Sequence, residues 1–173
     1  MKKIMFNDRY GLTQAVLDGR KTMTRRIVPD GTPLGNWEET VKKSRYKVGE
    51  IVAVAQSYHA LNKAGYVAPE WLEHTCESSA GYENKMFVRA ELMPYRIKIT
   101  NIKVERLQDI SNEDCLKEGI YNWPDGDTWT YGNSWHAFAT PQEAFAEMID
   151  KVHCKGTWNI NPYVFVYEFE LLK

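Results

Sequence analysis

Apolar residues occupy every odd position from Tyr163 to Leu171 (Tyr163, Phe165, Tyr167, Phe169, Leu171). That period of two predicts a strand with one continuous apolar face. A second strand is predicted over Ile51-Val52-Ala53-Val54-Ala55, where an unbroken apolar run implies cover on both faces. Tyr95 to Leu107 reads as a third. Ile97 and Ile99 share one parity and Ile102 and Val104 the other, so the alternation slips near Thr100-Asn101. A β-bulge or sharp bend produces such a slip, and both occur where a sheet curls into a barrel. Thr22 to Val28 is a strand by its β-branched content, ended by Pro29-Asp30-Gly31. Phe87-Val88 is expected to begin another.

Helical signals are fewer. Leu12 to Asp18 forms a short helix stopped by Gly19. Ser111 caps a second, which Gly119 closes, and Pro141 starts a third with Ala144, Phe145, Met148 and Val152 on one face. Residues 30–46 read as a polar loop and 46–50 as a turn. Residues 59–93 read as an insertion with at most a helical turn or two. Residues 121–141 read as a Gly- and aromatic-rich loop, with Trp123, Trp129 and Trp135 at six-residue intervals. No repeat or linker divides the chain. The expected fold is α+β, one domain over residues 1–173, built on a small curled sheet or barrel with a few external helices.

Composition narrows this picture. The 173 residues are 43% hydrophobic and 13% aromatic, enough for a core without covalent staples. No apolar run approaches the roughly 20 residues of a membrane helix, and Asn7-Asp8-Arg9 cuts short the signal-like start Met1 to Phe6. A cytoplasmic protein without a membrane partner is expected. The three cysteines, Cys76, Cys115 and Cys154, are odd in number and widely spaced, which argues against a disulfide framework. His74-x-Cys76 and His153-Cys154 lack the paired spacing of a zinc site, so the cysteines read as packing residues. Neither a metal nor a cofactor is expected.

Charge is unevenly spread. Residues 1–50 carry eleven Lys and Arg against six Asp and Glu, whereas residues 51–173 carry eleven against seventeen. A net charge of −1 argues against an extended DNA footprint but leaves room for a short basic patch that meets a nucleotide or a single-stranded end. The densest chemistry is Asp18-Gly19-Arg20-Lys21-Thr22-Met23-Thr24-Arg25-Arg26, with four cations at a junction between helix and strand. Two readings stand: a solvated basic edge strand that deters edge pairing, or an anion or nucleobase site. Lys21 and Thr24 meet only if the chain turns between them or the strand starts late.

The string Val16-Leu17-Asp18-Gly19-Arg20-Lys21-Thr22-x-Thr24-x-Arg26 resembles the N-terminal signature of the ASCH domain family, a set of PUA-like β-barrels related to RNA-binding domains. Tyr46 to Ile51 is similar to the family's K-x-G-D/E turn. Val104 to Ser111 with Glu118-Gly119-Ile120 is similar to the strand–helix unit that follows, and Trp158 to Phe169 to the closing strand. The longer form resembles ASCH proteins of phage and prophage genomes. The resemblance implies a PUA-like mixed barrel and one of two activities. Small bacterial members are amidohydrolases that remove the acyl group of N4-acetylcytidine with a Lys, a Thr and a Glu, which fall on Lys21, Thr24 and Glu118. Others are discussed as RNA- or nucleotide-binding modules. The implied partner is a small nucleoside or an RNA ligand; the oligomeric state is left open.

Chemistry places demands on that set. A Thr hydroxyl needs a base to become a nucleophile. Lysine serves only when neutral, and burial with like charges supplies the downward pKa shift. Arg20, Arg25 and Arg26 are candidates for those charges and for substrate contacts, with Arg26 orienting the substrate. Glu118 would protonate the leaving amine if held protonated or set back from Lys21. Trp135, with Trp123, Trp129 and Tyr131, offers either a stacking platform for a base or packing at one end of the barrel. His136 reads as structural. The insertions at 59–93 and 121–141 are placed to narrow or cover the pocket, expected where residues 19–26 approach the helix at 111–119.

Overall fold

The computed structural model describes residues 1–66 and 77–172. In chain order its elements are β1 (Lys3–Ile4), α1 (Leu12–Leu17), β2 (Met23–Ile27), α2 (Trp37–Lys42), β3 (Ile51–Val54), α3 (Tyr58–Lys63), β4 (Arg96–Arg106), α4 (Asn112–Lys117), β5 (Ile120–Asn122), β6 (Trp129–Tyr131), α5 (Pro141–Val152), α6 (Thr157–Ile160) and β7 (Tyr163–Leu172). The fold is α+β. Five strands form one mixed sheet in the order β1-β3-β4-β7-β2, with β1 parallel to β3 and the other pairs antiparallel; β5 and β6 form a separate hairpin.

The slip in the apolar pattern of β4 is a bulge. Ile99 pairs with Phe169 and Asn101 with Glu168, so Thr100 is the extra residue. It allows Ile97 and Ile99 before it, and Ile102 and Val104 after it, to join the same core while the sheet bends. Both faces of β7 are covered, since Val164, Phe165, Val166 and Tyr167 are all buried. Across the curl, the described ladders end at β1 and β2. A side chain spans the gap between those edges: Arg26 Nη2 donates to the Met5 carbonyl at 2.6 Å. The expected barrel is therefore a curled sheet whose edges are bridged rather than paired among the described residues.

Leu12 and Val16 of α1, Cys115 of α4, and Phe145, Met148 and Ile149 of α5 pack with the sheet in one large core. A smaller cluster beyond β3 gathers Ala53, Ala55, Tyr58, Leu61, Val88, Ala90 and Met93. Among the described residues no helix is long and apolar enough to cross a membrane.

Several expectations need correction. The polar stretch 30–46 contains α2, a helix without an apolar stripe that is set by its cap: the Asn36 side chain accepts from the backbone N–H groups of Glu38 and Glu39. Phe87-Val88 does not begin a strand. Lys85–Phe87 is a 3₁₀ turn capped by Asn84, and the Phe87 ring is exposed. The aromatic stretch 121–141 is not a plain loop. It carries most of the β5–β6 hairpin, extended by a bridge between Trp129 and Phe138. Its closing residue, Gly132, sits at φ 52°, and a Cβ there would lie 1.7 Å from the Tyr10 carbonyl oxygen. Cys115 packs in the core as expected, and burial pushes its thiol up to about 12. Cys154 is exposed instead, and His74 and Cys76 lie outside the described residues.

Candidate active site

Lys21 is placed by two backbone bonds. Its N–H donates to the Ala15 carbonyl at 2.9 Å, closing the turn after α1 at Gly19, whose φ of 73° suits glycine. The next N–H, of Thr22, donates to the Lys117 carbonyl at 2.8 Å and ties that turn to the end of α4. The strand thus starts late, at Met23, and Lys21 lies in the turn before it. Glu118 caps the C-terminus of α4, where a carboxylate opposes the helix dipole. Its partners offset that cost.

Lys21 Nζ donates to Glu118 Oε2 at 2.5 Å and to the Glu118 carbonyl at 2.8 Å. Arg25 Nη1 donates to Glu118 Oε1 at 3.1 Å. The two side chains of the Lys21–Glu118 pair are only 2% and 4% exposed. Arg25 continues the network. Its Nε and Nη2 donate to Glu105 Oε1, Nη2 also to Asp114 Oδ2, and Nη1 to Met23 Sδ. Every N–H of its guanidinium is therefore occupied within the protein. Lys103 reaches Glu105 and Asp114 from the rim.

The electrostatics follow from burial. Desolvation lowers the pKa of Lys21 and outweighs the opposing pull of Glu118; the charges of Arg26 and Arg25 add to the lowering. Burial alone would raise the Asp114 carboxyl, but the hydrogen bonds and charges of Arg25 and Lys103 outweigh it and hold it below the usual range. Arg26 is lowered by burial.

Lys21, Thr24, Arg25, Arg26 and Glu118 line one cavity of about 30 Å³, walled also by Phe6, Met148 and His153. Among the described residues the Thr24 hydroxyl has no hydrogen-bond partner. The Phe6 ring lies between the two cations, 5.9 Å from Lys21 Nζ and 5.8 Å from the Arg26 guanidinium. The expected meeting of residues 19–26 with the 111–119 helix is therefore realised.

No family model and no curated protein matches the chain. Among solved structures it is similar to an ASCH domain. That domain, from Lactobacillus crispatus, aligns at 11% identity over 92% of this chain and 69% of its own, with a TM-score of 0.41. A DUF984-family protein from Enterococcus faecalis V583 aligns at 13% identity over 99% of this chain and 80% of its own, with a TM-score of 0.47.

The remaining sequence-predicted residues divide. Arg26 lines the cavity and has no carboxylate partner among the described residues. Arg25 lines it too, but with its donors occupied it positions Glu118 and has none left for a substrate. Arg20 is exposed, paired with Asp18 at 3.0 Å and facing the Tyr121 ring, outside the cavity. Trp135 is 80% exposed and also outside it. The aromatic platform does not assemble: Tyr131 is in the core, while Trp123 and Trp129 are partly buried. His136 has a partner after all, with Nδ1 2.8 Å from Glu147 Oε1, which also accepts from the Tyr131 hydroxyl. His153, which the sequence offers only beside Cys154 as a zinc pair of the wrong spacing, instead lines the cavity after α5. Burial and Arg26 lower its pKa, so it is neutral near pH 7.

Proposed function

We propose that the protein is an amidohydrolase acting on an acylated nucleobase or nucleoside. The observation that carries this reading is the direct contact of buried Lys21 with Glu118 beside a threonine hydroxyl that no group among the described residues engages. Resemblance of the 16–26 segment to the ASCH signature supports the choice of substrate class.

The contact gives the proton a path. The Lys21–Glu118 ion pair and its neutral counterpart, amine and carboxylic acid, differ by one proton moved across 2.5 Å. Burial disfavours the separated charges. In the neutral form Lys21 accepts the proton of Thr24 as Oγ1 attacks the acyl carbonyl carbon. Glu118 then donates its proton to the leaving amine as the carbon–nitrogen bond breaks. Water hydrolyses the acyl-threonine ester by the reverse transfers, releasing the carboxylic acid and restoring the pair. Arg25 holds Glu118 in place, and Arg26 faces the substrate. A cavity of about 30 Å³ admits the reacting acyl group, so the rest of the substrate lies outside it.

The test is acetate release from N4-acetylcytidine and N4-acetylcytosine by the purified protein. Thr24→Val and Lys21→Met are each expected to lose about 10²–10⁴-fold in rate with the fold retained by circular dichroism. Activity that survives Thr24→Val, or no release from either compound, overturns the reading.

A further inference from the structure

A second, much larger cavity opens on the other side of Arg26. It holds about 320 Å³, within the range of small-ligand sites. Its floor is aromatic and buried: Tyr46, Phe165 and Tyr167, with the Tyr46 and Tyr167 rings edge to face at 5.2 Å. Its remaining polar lining is entirely cationic. Arg26 stands in the wall, Lys43 and Arg45 are exposed on the α2–β3 segment, and Lys3 closes the side; among the described residues no carboxylate lines the cavity.

These cations are not spent equally. Lys3 donates to the Met86 and Val88 carbonyls, which fixes it as part of the wall. Arg26 uses one N–H on the Met5 carbonyl. Among the described residues, Arg26, Lys43 and Arg45 have no acidic partner, and the Arg45 guanidinium rests 5.5 Å from the Tyr46 ring. Elsewhere in this protein a buried guanidinium collects carboxylates: Arg25, a neighbour in sequence, has three. Like charges that converge on an apolar recess raise one another's cost, and an anion between them removes it. Guanidinium groups match phosphate with paired N–H donors, and aromatic walls accept a planar ring.

We propose that this cavity binds a nucleoside 5′-monophosphate, its phosphate among Arg26, Lys43 and Arg45 and its base against Tyr46, Phe165 and Tyr167. The nucleotide is either free or the 5′-phosphorylated end of an RNA chain, since both present the same chemistry. The site shares Arg26 with the smaller cavity, holds neither Lys21 nor Glu118, and does not rest on the hydrolytic reading.

The experiment is calorimetric titration of the full chain with cytidine and adenosine 5′-monophosphates, the two nucleosides, inorganic phosphate, and a pentaribonucleotide with and without its 5′-phosphate. Either nucleotide is expected to bind at least tenfold more tightly than its nucleoside and than phosphate alone, and more weakly as salt rises. Lys43→Glu with Arg45→Glu, both exposed and so neutral to folding, is expected to cost at least tenfold in affinity with an unchanged melting temperature. Tighter binding of the phosphorylated oligomer than of either mononucleotide, lost on removing its phosphate, identifies an RNA end as the source. Equal binding of both oligomers, with the mononucleotide still preferred over its nucleoside, identifies the free nucleotide as the source; undetectable nucleotide binding at millimolar concentration, or full affinity in the double variant, overturns the proposal.

Discussion

Glu118 accepts hydrogen bonds from two cations at once, Lys21 at 2.5 Å and Arg25 at 3.1 Å, and separates two positive charges that would otherwise face each other out of reach of water. Removing the carboxylate and removing the lysine are therefore unequal changes. Glu118→Gln strands Lys21, while Arg25 keeps Glu105 and Asp114, and breaking a buried pair in this way costs about 3–5 kcal/mol. Lys21→Met removes one charge and leaves Glu118 with Arg25, so its cost should be clearly smaller. Urea unfolding of the two variants decides it; equal losses would show that Arg25 does not hold Glu118.

With Lys21 as base and Glu118 as acid, the pair must hold one proton between them, so the rate falls as pH rises through the folded-state pKa of Lys21. Burial lowers that value from 10.5, and the charge of Arg26 lowers it further. Arg26→Gln removes the second contribution, which moves the falling limb of the pH–rate profile towards higher pH. A purely structural role for Arg26 would lower the rate at every pH without moving the midpoint. Initial rates between pH 6 and pH 10 separate the two.

The site was legible in the sequence to the extent that it is local. Lys21, Thr24 and Arg26 belong to one short segment, and the late start of β2 at Met23, which lets Lys21 and Thr24 share a cavity, was one of two geometries the residues allowed. Glu118 was reached through a motif resemblance. Arg25, by contrast, reads in sequence as a substrate contact like Arg20 and Arg26. Only the return of β4 and α4 past β2 brings Glu105, Asp114 and Glu118 to it, from eighty to ninety-three positions away. The large cavity was hidden for the same reason: Phe165 and Tyr167 read as the apolar face of a strand and Tyr46 as part of a turn, and only the curl of the sheet brings them together beneath one space. α2 was missed because its helical signal is a cap and not a periodicity.

Asp114 links this network to acid stability. Its carboxyl lies below the usual value of 3.8 in the folded protein because Arg25 and Lys103 outweigh its burial. A depressed acid stabilises the fold above its unfolded pKa, and that contribution fades as pH falls towards the folded value. Asp114→Asn should thus be less stable than the natural chain at pH 7, and the gap should narrow below about pH 4. Thermal unfolding at pH 7, 5 and 3 measures it; a constant gap would mean that packing, and not charge, sets the cost.

Thr100 makes a last prediction, about shape. Upstream of it, Ile97 and Ile99 pair with Leu171 and Phe169; downstream, Ile102 and Val104 pair with Tyr167 and Phe165, in a register offset by one residue. Deleting Thr100 joins the two halves in a single register. All four apolar residues then keep their β7 partners and share one parity, and what is lost is the extra residue that bends the strand. The pairs concerned are those of β7 that carry Phe165 and Tyr167 in the floor of the large cavity and, through β2, set Arg26 beside it. Thr100→Ala keeps the extra residue and should leave both stability and nucleotide affinity near those of the natural chain. The deletion should lower the melting temperature sharply, by more than any single exposed substitution, and abolish nucleotide binding even under conditions where it stays folded. A deletion variant with unchanged melting temperature would mean that the bend does not depend on the bulge.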